Sequence, residues 1–178
     1  NYRGEKAIRL ELSLRKKLDA LDLFRGQPGL ARGEIQFLTG GWLELAVYRS
    51  VQSILNDSLG FVVPSMHMVS GVSGVDNELD VVAVVNNSLI TFECKTSLMD
   101  KEHSFFNETI YKMQSLRKEL GLACKAVLVT CDESLLDGKK REEKASRAKM
   151  FDIDLVTSED MISSESLQSR FREIMKIN

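Results

Sequence analysis

The chain alternates between two patterns of apolar residues. Apolar positions three and four residues apart predict helices over 4–23, 39–57, 105–121, 138–151 and 158–177. Alternating or continuous short apolar runs predict strands over 60–71, 78–85, 89–94, 125–131 and 152–157. This order favours an antiparallel meander of three strands, followed by parallel strands that helices connect. The predicted fold class is α/β, with a mixed central sheet between two helical layers.

A glycine-rich segment divides the chain near its start. Residues 24–35, FRGQPGLARGEI, contain three glycines and one proline, which is typical of a linker or an irregular loop. We therefore predict an N-terminal helix and linker over 1–34, which could be the stub of an absent domain. The main domain is predicted over 35–178.

Composition narrows the class of protein. The 178 residues are 43% hydrophobic and 28% charged, as expected for one globular domain with its own core. The net charge of −2 excludes a generally basic nucleic-acid coat, so any nucleic-acid contact must come from local patches or bound cations. No apolar run reaches 18 residues, so no membrane span is expected. Three cysteines without a CxxC pair predict reduced thiols and a cytoplasmic location.

The hairpin at 77–97, NELDVVAVVNNSLITFECKTS, carries three charged residues within its apolar runs: Asp80, Glu93 and Lys95. Charged side chains are seldom buried unless they are paired, bind a metal or serve a function. Strand alternation places Glu93 and Lys95 on one face of the sheet. A two-residue turn at Asn86–Asn87 would put Asp80 opposite Glu93, and a four-residue loop would put it opposite Lys95. Both registers bring the three charges to the same face.

Two interpretations of these charges remain open from spacing alone. Directly opposed carboxylates lie about 5 Å apart at Cβ and repel each other. A divalent cation between them makes the electrostatic interaction favourable instead. Oxygen ligands of this kind suit Mg²⁺ or Mn²⁺, and Lys95 could then orient or deprotonate a water or neutralise charge. The alternative is a solvent-facing ion pair between strands, which stabilises by only about 0.2–1 kcal/mol. Apolar residues on both faces of the second strand favour a covered site.

Four further charged residues are candidates for binding metal or nucleic acid, and each of them also has a non-functional interpretation. Glu78 lies two positions before Asp80, so alternation predicts the same face for it, either as an accessory ligand or as a plain charge near a strand start. The basic run that begins with Lys139, Lys140 and Arg141 could contact a phosphate backbone without reading sequence. Its alternative is a solvated helix face.

Asp80 followed by the triplet Glu93 to Lys95 resembles the PD-(D/E)xK nuclease signature, although the proline before the aspartate is missing. The resemblance implies a restriction-endonuclease-like α/β/α fold in which Asp80 and Glu93 bind the metal and Lys95 acts on the attacking water. Family members commonly carry an acidic residue on the first core helix. Glu44 matches that position and would be a further metal ligand, unless it is an exposed helix carboxylate.

The segments LTGGWLELAVY, NELDVVAVVNNSLITFECKTS and ETIYKMQSLRKELG together resemble the C-terminal nuclease domain of CRISPR ancillary nucleases of the Card/Can type. The likeness covers roughly residues 35–157. It implies a homodimer that cleaves DNA with Mg²⁺ or Mn²⁺, with RNA open as a second substrate, in antiviral defence. It also implies control by a CARF sensor for cyclic oligoadenylate. Helices after the triplet can offer polar groups to such sites, which makes Tyr111 and Gln114 candidates.

The first 34 residues are too few to hold such a sensor. Two interpretations follow from this: the chain is a fragment of a longer protein, or it is a nuclease without its own sensor. A third hypothesis is a catalytically silent module that binds nucleic acid or dimerises with the same fold.

Overall fold

The computed structural model describes residues 16, 30–55, 60–69, 76–98, 105–121, 124–132, 135 and 138–177. The helix predicted over 4–23 lies outside these residues, apart from Lys16. The chain forms two compact units, Asn1–Trp42 and Leu43–Asn178. The first contains a short helix α1, Arg32–Gln36, and a π-helical segment, Phe37–Gly41. The predicted domain boundary after residue 34 stays a prediction.

One five-stranded sheet organises the second unit. Its strands are β1 Gly60–Val69, β2 Asp76–Val85, β3 Ser88–Lys95, β4 Cys124–Thr130 and β5 Ile153–Val156. They lie side by side in chain order. β1, β2 and β3 pair antiparallel, whereas β3, β4 and β5 pair parallel. The mixed sheet predicted from the sequence is therefore confirmed.

Helices cover both faces of this sheet. They are α2 Trp42–Ile54, α3 Phe105–Leu120, α4 Gly138–Met150 and α5 Ser164–Met175. One apolar cluster joins α2 and α5 to the strands through Leu43, Val47, Val51, Val81, Ala83, Ile90, Phe92, Val127, Val129, Leu167, Phe171 and Ile174. The other joins α3 and α4 to the opposite face through Phe106, Ile110, Met113, Ala126, Leu128, Ala148 and Ile153. Because alternate residues of β4 enter different clusters, its continuous apolar run is explained.

The turn between β2 and β3 decides the register that the sequence left open. Asn86 and Asn87 have φ values of 49° and 61°, as a two-residue type I′ turn requires. Val85 pairs with Ser88, and regular pairing continues to Val81 opposite Phe92. The next position in this register would place Asp80 opposite Glu93.

The last helix begins later than the sequence pattern predicts. We expect a start near residue 158, yet α5 begins at Ser164, and its N-cap is Ser163, whose hydroxyl accepts from the Ser166 amide at 3.1 Å. Asp160 instead accepts from the Thr157 amide at 2.8 Å and holds the preceding residues in a turn. A polar cluster with several serines and acids offers more than one cap, and this local bond selects the later one.

β1 is an edge strand, a position that accommodates Pro64, and the neighbouring Ser65 has a φ of 48°. Cys94 and Cys124 are buried and Cys131 is half-buried, all as free thiols. Among the residues that the structure describes, no helix has the length and apolar character needed to cross a membrane.

Candidate active site

The candidate site begins where the regular pairing of β2 with β3 stops. Beyond Val81, the carboxylate of Asp80 accepts a hydrogen bond from the backbone N–H of Cys94 at 2.7 Å. Strict alternation predicts that Leu79 shares a face with Val81. Instead, Leu79 packs in a cluster with Val82, so the alternation is interrupted at Asp80. A side-chain acceptor thus replaces regular strand pairing at this point.

Asp80, Glu93 and Lys95 come together at this end of the hairpin. The Lys95 Nζ lies 2.7 Å from Glu93 Oε1 and 3.9 Å from Asp80 Oδ2. The side chain of Glu93 is 4% exposed and that of Asp80 is 13% exposed. A solvent-facing pair would leave these carboxylates wet, so their burial favours the functional interpretation over the surface ion pair.

A second lysine, which sequence reasoning missed, also contacts Glu93. The Lys112 Nζ on α3 lies 3.1 Å from Glu93 Oε1 and 3.4 Å from Oε2. Its position gave one signal: it stands three residues after Thr109 and four before Leu116, both of which are buried. A lysine on the flank of a buried helical stripe can also keep its ammonium in water, so this spacing alone does not reveal the contact with Glu93.

The two residues predicted from α3 lie elsewhere. The Tyr111 hydroxyl accepts a hydrogen bond from the Arg147 guanidinium at 2.7 Å, and its ring meets Phe151 edge-on at 5.5 Å. Gln114 lines a cavity of about 370 Å³ together with Met150 and Phe151. Tyr111 therefore faces α4, and neither residue is placed beside the carboxylates by these contacts.

Burial and charge set the protonation behaviour of the central pair. Burial, reinforced by the Glu93 carboxylate, raises the pKa of Asp80 to about 6, although the Cys94 N–H and the Lys95 ammonium oppose the shift. For Lys95, burial lowers the pKa, but the attraction of Glu93 and its hydrogen bond outweigh burial and raise it overall. Lys95 therefore stays charged, and the site still carries excess negative charge around Asp80.

The two accessory acids share this electrostatic environment. Burial raises the pKa of Glu44 on α2, and the Glu78 carboxylate raises it further, whereas Lys95 lowers it. The charges of Glu78 and Lys95 both act on Glu44, so Glu44 lies near the charged end of the hairpin. Metal binding by Glu44 and by Glu78 stays a prediction.

The chemistry of these donors fits a hard divalent cation. Asp80 and Glu93 supply carboxylate oxygens, and the pKa of Asp80 is raised first by burial and then by the neighbouring Glu93 carboxylate, both of which a bound cation would offset. Across the described ranges, no three side chains of His, Cys, Asp or Glu are gathered closely enough to hold an ion. The ammonium groups of Lys95 and Lys112, rather than a third carboxylate, contact the Glu93 oxygens.

A buried acid two residues after the end of β4 supports the same end of the sheet. Asp132 is 3% exposed, and its carboxylate accepts a hydrogen bond from the Leu98 backbone N–H. Its own amide donates to the Thr130 hydroxyl at 3.2 Å. Because Thr130 pairs with Lys95 across β3 and β4, these bonds hold the chain just beyond Lys95. The sequence showed only an acid after a strand, without its partner.

Three basic residues that the sequence predicts to contact nucleic acid lie at the start of α4. Lys139 and Lys140 are exposed. Arg141 forms an ion pair with Glu159 at 2.6 Å, so part of its charge is already neutralised. Contact of these three residues with nucleic acid stays a prediction.

Comparison with known proteins gives a family and a fold. The family described as "Card1-like, endonuclease domain" matches residues 32–173. A comparison with curated proteins gives no match. The crystal structure of protein VC1899 from Vibrio cholerae is 25% identical with a TM-score of 0.71, and the match covers 96% of this chain and 46% of that one.

A second structure shows the same fold. Can2 from Sulfobacillus thermosulfidooxidans, in complex with cyclic tetra-adenylate, is 21% identical with a TM-score of 0.69. That match covers 94% of this chain and 47% of Can2, so the chain spans less than half the length of either protein. The family match covers most of the sequence, including every residue of the candidate site. The chain therefore belongs to the Card1-like endonuclease domain family.

Proposed function

We propose that this domain is a nuclease that hydrolyses phosphodiester bonds with Mg²⁺ or Mn²⁺ held by Asp80 and Glu93, with Glu44 as an accessory ligand. The observation that carries the proposal is a pair of carboxylates, buried Glu93 and partly buried Asp80, that shares one ammonium, Lys95 Nζ, at distances of 2.7 Å and 3.9 Å. A fold needs no such cluster for stability, because buried ion pairs cost about as much desolvation as they return. Membership of an endonuclease family supports a catalytic use.

The residues of the site are held in place before substrate arrives. The Cys94 N–H orients Asp80, and Lys95, on the same strand as Glu93, orients Glu93. A divalent cation bound there would lower the pKa of a bound water and stabilise the departing oxygen. Lys95, which remains an ammonium, would position that water or neutralise charge on the phosphate. Such positioning contributes to catalysis because the groups need no rearrangement as charge develops.

The substrate proposed is DNA, with RNA as a second candidate. Lys139 and Lys140 are exposed and could follow a phosphate backbone, whereas Arg141 is partly engaged by Glu159. We further propose a homodimer that serves CRISPR-associated defence under control of a CARF sensor for cyclic oligoadenylate. The complex of Can2 with cyclic tetra-adenylate supports that context, and a sensor would belong to the half of such proteins that this chain does not span.

The test is cleavage of labelled single-stranded DNA, single-stranded RNA and supercoiled plasmid in Mn²⁺, Mg²⁺ or EDTA. Asp80→Asn and Lys95→Met should each lower the rate at least about 100-fold. Asp76→Asn is the matched control for the first, because Asp76 lies on the same strand but is 60% exposed. Lys118→Met controls for loss of an exposed lysine on α3.

The outcomes separate three functions. Metal-dependent cutting that both variants lose supports the nuclease and identifies its substrate. If the protein does not cut but calorimetry shows that it binds Mn²⁺, the result supports a nuclease that needs its sensor or its dimer partner. Size-exclusion chromatography with light scattering would then show whether the protein is a monomer or a dimer. Absence of both cutting and Mn²⁺ binding contradicts the proposal and favours a silent module.

A further inference from the structure

The second lysine on Glu93 suggests how the site controls metal binding. Glu93 Oε1 contacts both ammonium groups, Lys95 at 2.7 Å and Lys112 at 3.1 Å, and Lys112 also reaches Oε2 at 3.4 Å. Both oxygens of a buried carboxylate are therefore engaged by lysine. A divalent cation that binds Glu93 must share or replace one of these contacts, because like charges so close together repel.

The two lysines are held to different extents. Lys95 belongs to the same strand as Glu93, is 29% exposed and also lies near Asp80. Lys112 comes from a helix, is 44% exposed, makes longer contacts and has its ion pair with Glu93 alone among the described carboxylates. A long, half-exposed lysine can move its ammonium into water at little cost while its stem stays packed. Lys112 is therefore the lysine that can leave.

We propose that Lys112 is an exchangeable counter-ion, which occupies Glu93 until a divalent cation binds and thereby lowers the affinity of the site for that cation. This inference rests on the proposed metal-dependent function. Lys112 acts through Glu93, so it is a positioning residue, and its removal should strengthen metal binding. A lysine with a merely structural role would do the opposite, because its loss would loosen Glu93 and weaken metal binding.

The experiment is calorimetric titration of the whole chain with Mn²⁺. Lys112→Met removes the charge but keeps an unbranched apolar stem, and we expect its dissociation constant for Mn²⁺ to fall about tenfold. Lys118→Met, an exposed lysine on the same helix, should match the unchanged protein. Lys112→Gln, which keeps a hydrogen-bond donor without charge, provides a second variant in case the methionine disturbs folding.

Thermal unfolding gives a readout that does not depend on cleavage. The rise in Tm on adding Mn²⁺ should be larger for Lys112→Met and Lys112→Gln than for Lys118→Met, because a tighter ligand stabilises more. Unchanged or weaker Mn²⁺ binding in the folded Lys112 variants overturns the inference and leaves the nuclease proposal intact. Failure of the unchanged protein to bind Mn²⁺ overturns the metal site and the inference with it.

Discussion

The two ends of the β2–β3 hairpin differ although the same two strands form both. At the turn, five consecutive residue pairs follow a regular antiparallel register from Val85 opposite Ser88 to Val81 opposite Phe92. At the other end, this pairing stops, and the Asp80 carboxylate binds the Cys94 amide. The regular end closes in a turn of two asparagines, whereas the open end gathers buried Glu93, partly buried Asp80 and their lysines.

This difference separates stability from chemistry within one supersecondary motif. The turn end depends on contacts that are local in sequence and on apolar burial, both of which favour folding. The open end buries charge, which opposes folding unless partners compensate it. Those partners come from distant parts of the chain, Lys112 on α3 above all. We therefore expect substitutions at the two ends to change stability in opposite directions.

The largest effect should come from the last regular pair. Phe92 is 1% exposed and meets Phe171 edge-on at 5.3 Å, so Phe92→Ala leaves a large cavity between β3 and α5. We expect the free energy of unfolding to fall by about 3–5 kcal/mol in urea titrations. Phe61→Ala on β1, where the side chain is 58% exposed, is the control and should change it by less than about 0.5 kcal/mol.

The next effect should have the opposite sign and depend on pH. The ordinary pKa of an aspartate, 3.8, rises to about 6 for Asp80 in the fold. Folding therefore favours the protonated form, and this contribution is full below pH 3.8 and is lost as pH rises through about 6. The shift corresponds to at most about 3 kcal/mol. In EDTA at pH 8, Asp80→Asn should thus be more stable than the unchanged protein.

Asparagine suits this comparison because its amide oxygen can still accept from the Cys94 N–H. The measurement is urea unfolding in EDTA between pH 4 and pH 8, where the advantage of Asp80→Asn should grow with pH. Asp76→Asn, exposed on the same strand, should show no such trend. A variant less stable than the unchanged protein at pH 8 would mean that the open end is not strained by buried charge.

The smallest effect should come from the turn itself. Asn87 has a φ of 61°, a left-handed conformation that costs alanine more than asparagine. Asn87→Ala should lower the free energy of unfolding by about 1 kcal/mol, whereas Asn87→Gly should leave it nearly unchanged. Equal losses for both substitutions in urea titrations would show that the asparagine side chain, rather than its backbone conformation, stabilises the turn.

The hairpin register, a local rule, predicts that Asp80, Glu93 and Lys95 come together, even though strict alternation is interrupted at Asp80. Both registers considered for Asn86–Asn87 brought Asp80, Glu93 and Lys95 together, so the prediction did not depend on choosing correctly between them. On α3 the sequence predicts Tyr111 and Gln114 as candidates, yet Lys112 is the residue that contacts Glu93. Helical spacing shows which residues share a face, but not which distant group that face meets.

The sequence by itself determined the order of the elements, the parallel and antiparallel pairing, and the set of charges on one strand face. These follow from periodicity, turn chemistry and short connections, which act within about a dozen residues. Only the tertiary structure decided that α3 brings Lys112 to Glu93 and that Asp132 binds the Leu98 amide. Such contacts join residues from separate elements, and the packing of helices against the sheet sets the distances between them.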